Sequence, residues 1–312
     1  MSLISYLQVQ LYMNAEDILK FAATSPYRYK FYRIKKRNGR ETRLIAHPSV
    51  QLKFIQRLVT QYLSSILSIH ECAYAYRKGI GIKDNAQRHL HSKYLLKMDF
   101  KDFFPSISPE MLFKQLRLAE VKMDKQDAFL LERLLFCRYQ RGAPLRLSIG
   151  APSSPFISNF VMMNFDDALA IHCSEIGVSY TRYADDITFS TSKVGVLFNL
   201  PEFVSGLLNE MTSGLISINP DKTIFSSKAH NRHVTGVTLS NNNKLTIGRE
   251  KKRVIYAKLH HLFVKKTLSS SDIDNLRGHV SHAIYIEPDF YNQICKKYGQ
   301  ECVDSLIKNR LV

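Results

Sequence analysis

Hydrophobic and polar positions recur along the chain with two different periods. Apolar residues return every three or four positions in several long segments, and this spacing predicts helices. The helical segments are 48–66, 124–137, 156–172 and the stretch from 249 onward. Shorter runs rich in β-branched and aromatic residues predict strands. These runs are 93–100, 178–190 and 232–247, the last as two short strands. We therefore predict an α+β fold.

Local signals mark where elements begin and turn. Asn14, followed three residues later by Asp17, has the form of a helix start. Residues 29–46 alternate around Asn38-Gly39, a pair typical of a tight hairpin turn. Pro48 is predicted to open the next helix, because proline is favoured at the first helical position. There is no long linker, so the chain reads as one interlocked body.

The charge balance points to a class of partner. Among 312 residues, 44 are Lys or Arg and 27 are Asp or Glu, which gives a formal net charge of +17. Such an excess favours a polyanionic partner. An enzyme and an architectural binder can share this charge, so it does not separate the two.

The cysteines and the start of the chain bear on the compartment. Five cysteines are scattered and never spaced as CxxC, which favours a reducing cytosol over a disulfide framework or a zinc ribbon. The opening MSLISYLQVQ has no basic leader, and no apolar run approaches 18 residues. We expect a cytoplasmic protein with no signal peptide and no association with a membrane.

Three aspartates stand where carboxylates are unusual. Asp185 and Asp186 interrupt the run TRYADDITFS (181–190), and Asp99 ends an apolar strand. A hydrated polar turn is one interpretation of the Asp pair. If the strand of Asp99 pairs beside the 178–190 hairpin, the three carboxylates meet at one sheet edge instead. Two Mg²⁺ ions held by these oxygen ligands would then offset the repulsion and serve phosphoryl transfer to a hydroxyl.

Several sequence blocks resemble those of reverse transcriptases, in the same order. They are IKKRNGRETRLIAHP (34–48), KMDFKDFFPSI (97–107), GAPSSP (150–155), YADD (183–186) and GLISINPDKT (214–223). Two more blocks, NAQRH (85–89) and VTG (234–236), resemble elements typical of retron reverse transcriptases.

The resemblance implies a right-hand polymerase fold. Its parts are fingers, a palm of antiparallel sheet packed on helices, and a helical thumb. The implied boundaries are fingers, with an N-terminal helical segment, at 1–92 and 108–150, palm at 93–107 and 151–243, and thumb at 244–312.

The resemblance also implies roles for individual residues. Asp99, Asp185 and Asp186 would bind two Mg²⁺ ions together with the Phe100 carbonyl, and Lys222 would protonate the leaving pyrophosphate. The residues implied to bind the incoming dNTP are Lys36, Arg43, Phe104, Gly150 and Ala151. Phe104 would be the sugar gate that excludes a ribonucleotide 2′-OH. Phe103 fits an ordinary core position, because neighbours on an extended chain face opposite ways.

Two basic stretches, with the two retron elements, carry the implied RNA contacts. Residues 27–43 and 244–266 each hold eight Lys or Arg against one Glu, and aromatic residues among the cations of the first stretch suit unpaired bases. The second stretch predicts an amphipathic thumb helix with outward-facing lysines. The residues implied to bind RNA are Asn85, His89, Val234, Thr235, Gly236, Lys251, Lys252, Arg253 and Lys258.

Two positions depart from a simple match. Ile149 stands where the family usually has Gln before the glycine of the GAPSSP block, which bears on nucleotide affinity and fidelity. A second doublet, Asp166-Asp167, lies inside a predicted helix, where a solvated face or contacts from helix to strand explain it better than a metal does.

The sequence thus predicts the RNA-directed DNA polymerase of a bacterial retron. By resemblance it would copy part of a cognate non-coding RNA into branched, RNA-linked DNA (msDNA), priming from a guanosine 2′-OH. Its partners would be that RNA, the RNA/DNA hybrid product and an effector protein in antiphage defence, with a higher-order complex possible. The alternatives are a group II intron-like or diversity-generating reverse transcriptase, or a non-catalytic RNA-binding scaffold.

Overall fold

The computed structural model describes residues 1–35, 39 and 41–308. The chain divides into two compact units. The first unit contains Met1–Lys78, Leu96–Phe189 and Gly195–Ile224. The second contains Gly79–Leu95, Ser190–Val194 and the chain from Phe225 onward. Among the described residues, no helix is both long and apolar enough to cross a membrane.

Helices supply most of the ordered structure. In chain order they are α1 (Leu3–Leu11), α2 (Ala15–Thr24), α3 (Val50–Ile66), α4 (Ile82–Arg88), α5 (Phe103–Ser106), α6 (Pro109–Leu118), α7 (Lys125–Leu135), α8 (Ser154–Val161), α9 (Met163–Ile176), α10 (Leu200–Thr212), α11 (Arg249–His260), α12 (Ser270–Ile286), α13 (Asp289–Tyr298) and α14 (Gln300–Ile307). Short 3₁₀ turns occupy Ser25–Tyr27, Val196–Asn199 and Pro220–Lys222, and a π turn, His261–Lys265, follows α11.

The strands form small sheets. They are β1 (Tyr29–Lys35), β2 (Thr42–Pro48), β3 (Tyr94–Asp99), β4 (Cys137–Arg138), β5 (Leu145–Arg146), β6 (Ser179–Tyr183), β7 (Asp186–Thr191), β8 (Ile224–Ser227), β9 (Arg232–Val234), β10 (Val237–Leu239) and β11 (Leu245–Thr246). One sheet has the order β6-β7-β3-β8 and another β11-β10-β9, while β1-β2 and β4-β5 are two-stranded. The predicted mixture of helices and antiparallel strands is confirmed.

The hairpin expected around residues 29–46 is present, with one boundary different from the prediction. Tyr29 pairs with Pro48 and Lys35 with Thr42 in antiparallel register. Asn38 of the predicted turn lies outside the described residues. Pro48 does not open a helix, since it is the last residue of β2. Ser49 caps α3 instead, because its side chain accepts a hydrogen bond from the Leu52 amide.

Two further predictions about elements are corrected. The single helix expected at 156–172 is two helices, α8 and α9, because Met162 has a ψ of 2° that ends one and precedes the other. The segment 232–247 forms three short strands rather than two. The helix start at Asn14 is confirmed, since its side chain accepts a hydrogen bond from the Asp17 amide.

The second unit has its own apolar core, formed by α4, the β9–β11 sheet and α11–α14. Fully buried members include Ala86, Val234, Leu259, Leu276, Val280 and Phe290. Segment 79–92, predicted to belong to the fingers, therefore groups with the helices predicted to form the thumb. These units are not the fingers, palm and thumb, whose boundaries remain a prediction.

Candidate active site

Three carboxylates lie where β3 and β7 end side by side in the first unit. Asp99 is the last residue of β3, Asp186 is the first residue of β7, and the two strands are neighbours in the sheet. The Phe100 amide donates to the Asp185 carbonyl at 3.0 Å, which joins the two strand ends. The predicted pairing of the Asp99 strand beside the hairpin is confirmed.

The turn that carries the aspartate pair is tight. Ala184, between β6 and β7, has a φ of 58°, in the left-handed region that disfavours residues with a Cβ atom. Asp185 is half-buried and Asp186 exposed, whereas Asp99 is only 5% exposed. The pair is thus at a hairpin bend, as predicted, but it faces a third carboxylate rather than open solvent alone.

Burial and then electrostatic repulsion raise the pKa of both aspartates in the turn. For Asp185 the causes are burial and then the negative charge of Asp99. For Asp186 they are partial loss of hydration, which its remaining exposure limits, and then the charges of Asp185 and Asp99. A cluster of this kind favours a cation, because a cation lowers the free energy of all three ionised groups.

The donor set fits Mg²⁺, which prefers carboxylate and carbonyl oxygens. In the described part of the chain, no group of three His, Cys, Asp or Glu side chains has the spacing to hold a metal ion. The strand ends nevertheless bring the three residues together, because the Phe100 amide bonds the Asp185 carbonyl and a hydrogen bond links the side chains of Asp186 and Asp99.

Lys222 supplies a positive charge to the cluster. Its Nζ donates to Asp99 Oδ1 at 2.8 Å, and its side chain is 52% exposed. Burial works to lower the pKa of Lys222, but the hydrogen bond and the charge of Asp99 outweigh it and raise the pKa. The backbone also holds this segment, because the Asn219 amide donates to the Asp99 carbonyl at 2.8 Å. Lys222 is therefore a protonated group in contact with a predicted metal ligand.

The aromatic residues after Asp99 divide into a core residue and a residue that is partly exposed. Phe103 is 3% exposed, and its ring lies 5.3 Å from that of Phe100. Phe104 is half-buried and faces Tyr76 with 6.5 Å between ring centroids. The core position of Phe103 is confirmed, although these residues form the helical turn α5 and not an extended segment. The role of Phe104 as a sugar gate stays a prediction.

The remaining residues predicted to bind the nucleotide lie on β2 and the GAPSSP block. Arg43 is exposed on β2, and its charge offsets a small part of the rise in the pKa of Asp185. A Cβ on Gly150 would meet the Ala46 carbonyl at 3.0 Å, so the block packs closely on β2. Ala151 is buried. Lys36 lies outside the described residues.

The two blocks predicted to be RNA contacts face each other inside the second unit, and this corrects part of the prediction. Asn85, His89 and Val234 are at most 1% exposed, so their side chains do not present a surface to RNA. Asn85 Nδ2 donates to Thr235 Oγ1 at 3.5 Å, and His89 bonds Ser190 at 2.8 Å. Burial, followed by the charge of Arg88, lowers the pKa of His89 to about 3, so its ring is neutral.

These buried contacts fix α4 against the turn between β9 and β10. Thr235 Oγ1 also donates to the Ile82 carbonyl at 3.3 Å. Thr235 has a φ of 47° and Gly236 a φ of 82°, and Gly236 is exposed. Of the five residues predicted to bind RNA in these blocks, only Thr235 and Gly236 keep exposed surface.

The basic helix α11 also differs from the prediction in detail. Lys252 does not face outward, since its Nζ pairs with Glu287 at 2.6 Å and both side chains are largely buried. Lys251 donates to the Gly236 carbonyl at 3.0 Å while remaining exposed. Arg253 is exposed and Lys258 is half-exposed. Phosphate contacts are therefore available to Lys251, Arg253 and Lys258 but not to Lys252.

The second aspartate doublet is explained by a contact from helix to strand, as predicted. Asp166 is fully buried on α9 and accepts hydrogen bonds from Arg182 and Tyr180 of β6. The sequence reading missed Arg182. The signal for Arg182 was a charged residue in the middle of a strand predicted to be buried. Such a charge needs a counterion.

Comparisons with known proteins agree with this geometry. The family described as "Reverse transcriptase (RNA-dependent DNA polymerase)" matches residues 34–239. The Retron Ec83 reverse transcriptase of Escherichia coli is 46% identical over 284 residues, which are 90% of this chain and 90% of that protein. The Retron Ec73 reverse transcriptase of the same organism is 34% identical over 280 residues, covering 86% and 85%.

Solved structures show the fold. Apo telomerase from Candida tropicalis aligns with a TM-score of 0.51 at 12% identity, over 96% of this chain. The chain spans 62% of that telomerase chain. At this identity the likeness shows a right-hand polymerase fold and nothing further about activity.

Proposed function

The chain belongs to the reverse transcriptase family and, within it, to the retron reverse transcriptases, and from this premise we propose that it copies part of a cognate non-coding RNA into branched, RNA-linked single-stranded DNA. It is an RNA-directed DNA polymerase. The observation that carries the proposal is the meeting of Asp99, Asp185 and Asp186 at adjacent strand ends, with raised pKa values for the last two.

Each residue of the site has a distinct task in this reaction. Asp99, Asp185, Asp186 and the Phe100 carbonyl would hold two Mg²⁺ ions. Bound there, the ions lower the pKa of the attacking hydroxyl and neutralise the charge of the leaving pyrophosphate.

The other residues position the incoming dNTP and exclude ribonucleotides. Lys222 gives a proton to the pyrophosphate, and its protonated contact with Asp99 supports this role. Arg43, together with Lys36, binds the triphosphate, since a guanidinium forms paired hydrogen bonds with phosphate oxygens. The ring of Phe104 excludes a ribose 2′-OH, so the substrates are dNTPs.

The partner and the start of synthesis follow from the retron assignment. We propose that synthesis begins on a guanosine 2′-OH of the cognate RNA, so that the product remains joined to the RNA by a branch. The net charge of +17 suits a structured RNA and its RNA/DNA hybrid. A bacterial cytoplasmic location and a role in antiphage defence with an effector protein complete the proposal.

The test is a reconstitution with the non-coding RNA encoded next to the protein. Purified protein, the RNA, Mg²⁺ and labelled dNTPs should yield DNA that stays attached to the RNA after heat denaturation. Replacing the priming guanosine by 2′-deoxyguanosine should abolish this product and leave extension of an annealed DNA primer intact.

The competing functions give different results in the same assay. Priming that survives the loss of the 2′-OH contradicts the branched product and favours an intron-like or diversity-generating enzyme. Absence of any dNTP incorporation, with RNA binding retained, indicates a non-catalytic scaffold.

A further inference from the structure

Arg182 is a fully buried cation directly behind the catalytic turn. It lies on β6, two residues before Ala184, and its side chain is 0% exposed. Nε donates to Asp166 Oδ1 at 2.8 Å and one terminal nitrogen donates to Asp166 Oδ2 at 2.5 Å. Tyr180 donates to the same Asp166 Oδ1 at 2.7 Å. The guanidinium is thus fixed in a paired geometry by an anchor on α9.

The free end of this guanidinium reaches the turn itself. Its other terminal nitrogen donates to the Ala184 carbonyl at 3.1 Å and to Asn159 Oδ1 at 3.1 Å. Ala184 is the residue with a φ of 58°, and its carbonyl carbon forms the peptide bond to Asp185. A hydrogen bond at that carbonyl therefore sets the orientation of the peptide plane from which the aspartate pair starts.

The same group of side chains also holds the loop opposite. Asn159 Nδ2 donates to the Ala75 carbonyl at 2.9 Å, and the Arg182 backbone carbonyl accepts from the Tyr74 amide at 2.8 Å. Tyr76, the next residue along, has a φ of 62° and faces Phe104. One buried network thus holds two left-handed backbone positions, one beside the carboxylates and one beside the predicted sugar gate.

Stability alone is a weak explanation for this network. Replacing a buried ion pair by apolar side chains of similar volume is often neutral or stabilising, because the ions lose hydration. A planar guanidinium fixes the relative orientation of the groups it contacts, because its rigid donors bind a carboxylate on one side and other acceptors on the other.

We propose that Arg182, anchored by Asp166, is a positioning residue that holds the Ala184–Asp185 peptide in the orientation required for the carboxylates to bind metal ions. The inference rests on the proposed function, because that function makes Asp99, Asp185 and Asp186 the metal ligands. It assigns Asp166 a task in catalysis through Arg182, without contact with metal or substrate.

The test compares two variants that affect the same carboxylate. Arg182→Lys keeps the positive charge beside Asp166 but cannot reach both Asp166 and the Ala184 carbonyl. Tyr180→Phe removes one hydrogen bond to Asp166 and leaves the bond from Arg182 to Ala184 intact. Both should lower the melting temperature, and only Arg182→Lys should disturb the turn.

Two measurements separate positioning from stability. The first is Mn²⁺ binding to the protein alone, followed by loss of the free-ion electron paramagnetic resonance signal. We expect Arg182→Lys to lower the affinity for Mn²⁺ about tenfold, which is the scale typical when the residues that support a metal ligand are lost. The second is primer extension, in which kcat should fall about 10- to 100-fold, because small displacements at a reacting centre cost that much. The KM for primer–template should be unchanged, and Tyr180→Phe should match the wild type in both measurements.

Other outcomes overturn the inference. A folded Arg182→Lys protein with wild-type Mn²⁺ affinity and kcat makes Arg182 a packing residue only. Equal losses in Tyr180→Phe would assign the effect to general stability. If Arg182→Lys does not fold, Asp166→Asn replaces it, and failure of both to fold also assigns the pair to the core. An inactive wild-type protein would contradict the proposed function. The Mn²⁺ titration would still show whether Arg182 supports metal binding at the turn.

Discussion

At the scale of single residues, Asp186 is an anion held close to two others. Its pKa is raised by partial desolvation and by the charges of Asp185 and Asp99. At pH values between the ordinary aspartate pKa and this raised pKa, the folded protein binds more protons than the unfolded chain does. The free energy of unfolding therefore falls as pH rises through this range. Without a bound cation, this carboxylate destabilises the fold near neutral pH.

Asp186→Asn should consequently stabilise the metal-free protein at neutral pH. Because Asp186 is exposed and solvent screens its charge, we expect a rise in melting temperature of only about 1–3 °C in EDTA at pH 7.5. The difference should shrink as the pH falls and vanish below about pH 3, where the carboxyl is protonated in both the folded and the unfolded state. Added Mg²⁺ should stabilise the wild type more than the variant, since it binds the native state.

The matched control is Glu175→Gln, which removes one exposed carboxylate on α9. It should leave the melting temperature in EDTA unchanged. A destabilised Asp186→Asn protein at pH 7.5, or an equal rise in the control, would contradict the repulsion described here.

The exposed edge of Phe104 leads to a prediction about substrate choice. Phe104→Ala should increase the ratio of rNTP to dNTP incorporation, because removing the ring opens space for a 2′-OH. Phe103→Ala is the contrasting variant, since its ring is buried against Phe100 and its loss should cost about 3–5 kcal/mol of stability. Nucleotide competition assays on an RNA template measure the ratio. An unchanged ratio in Phe104→Ala moves the gate to another residue.

Residue types with strict chemical requirements could be predicted from the sequence. The Asn14 cap and the meeting of the three aspartates belong to this group, because few other side chains cap a helix or suit a cation at paired strand ends. The partners of Lys252 and Asn85 could not be predicted, since Glu287 and Thr235 are 35 and 150 positions away. Only folding brings such groups together.

At the scale of elements, helix α11 carries the basic surface of the second unit. Its buried face contains Ile255 and Leu259, and its outward cations include Arg253. The sequence predicted that this helix is amphipathic, which the structure confirms. It did not predict that Lys252 would turn inward to Glu287, because helical position alone does not show which neighbouring helix offers a carboxylate.

A triple variant of α11 should separate RNA binding from chemistry. Replacing Lys251, Arg253 and Lys258 by Ala should weaken RNA binding and make the slope of log K against log salt shallower by about two, since each phosphate contact contributes about 0.7–0.9. Lys252→Ala should instead lower the melting temperature and leave the slope unchanged. Asp185→Asn should also keep the wild-type slope.

Binding curves across a salt series provide the measurement. Wild-type affinity and slope in the triple variant would mean that α11 does not contact the nucleic acid.

At the scale of the whole molecule, the order of the sequence blocks predicted the polymerase fold, and the comparisons confirm it. The division into compact units could not be predicted in the same way. Segment 79–92 lies early in the chain, yet its residues Ala86 and Leu90 pack with helices more than 150 residues later. Apolar spacing shows which face of a helix is buried but not which distant element covers it.

We propose that Asp99, Asp185 and Asp186 together catalyse RNA-templated DNA synthesis. The most direct measurement is single-turnover incorporation of dNTPs on a primed RNA template in Mg²⁺, comparing the wild type with Asp185→Asn and Asp186→Asn. Circular dichroism and RNA affinity serve as checks that the variants fold and bind. Each variant should lose incorporation by about 1,000-fold or more, the scale of lost electrostatic stabilisation of the transition state. Wild-type incorporation by either folded variant would contradict the assignment of the active site.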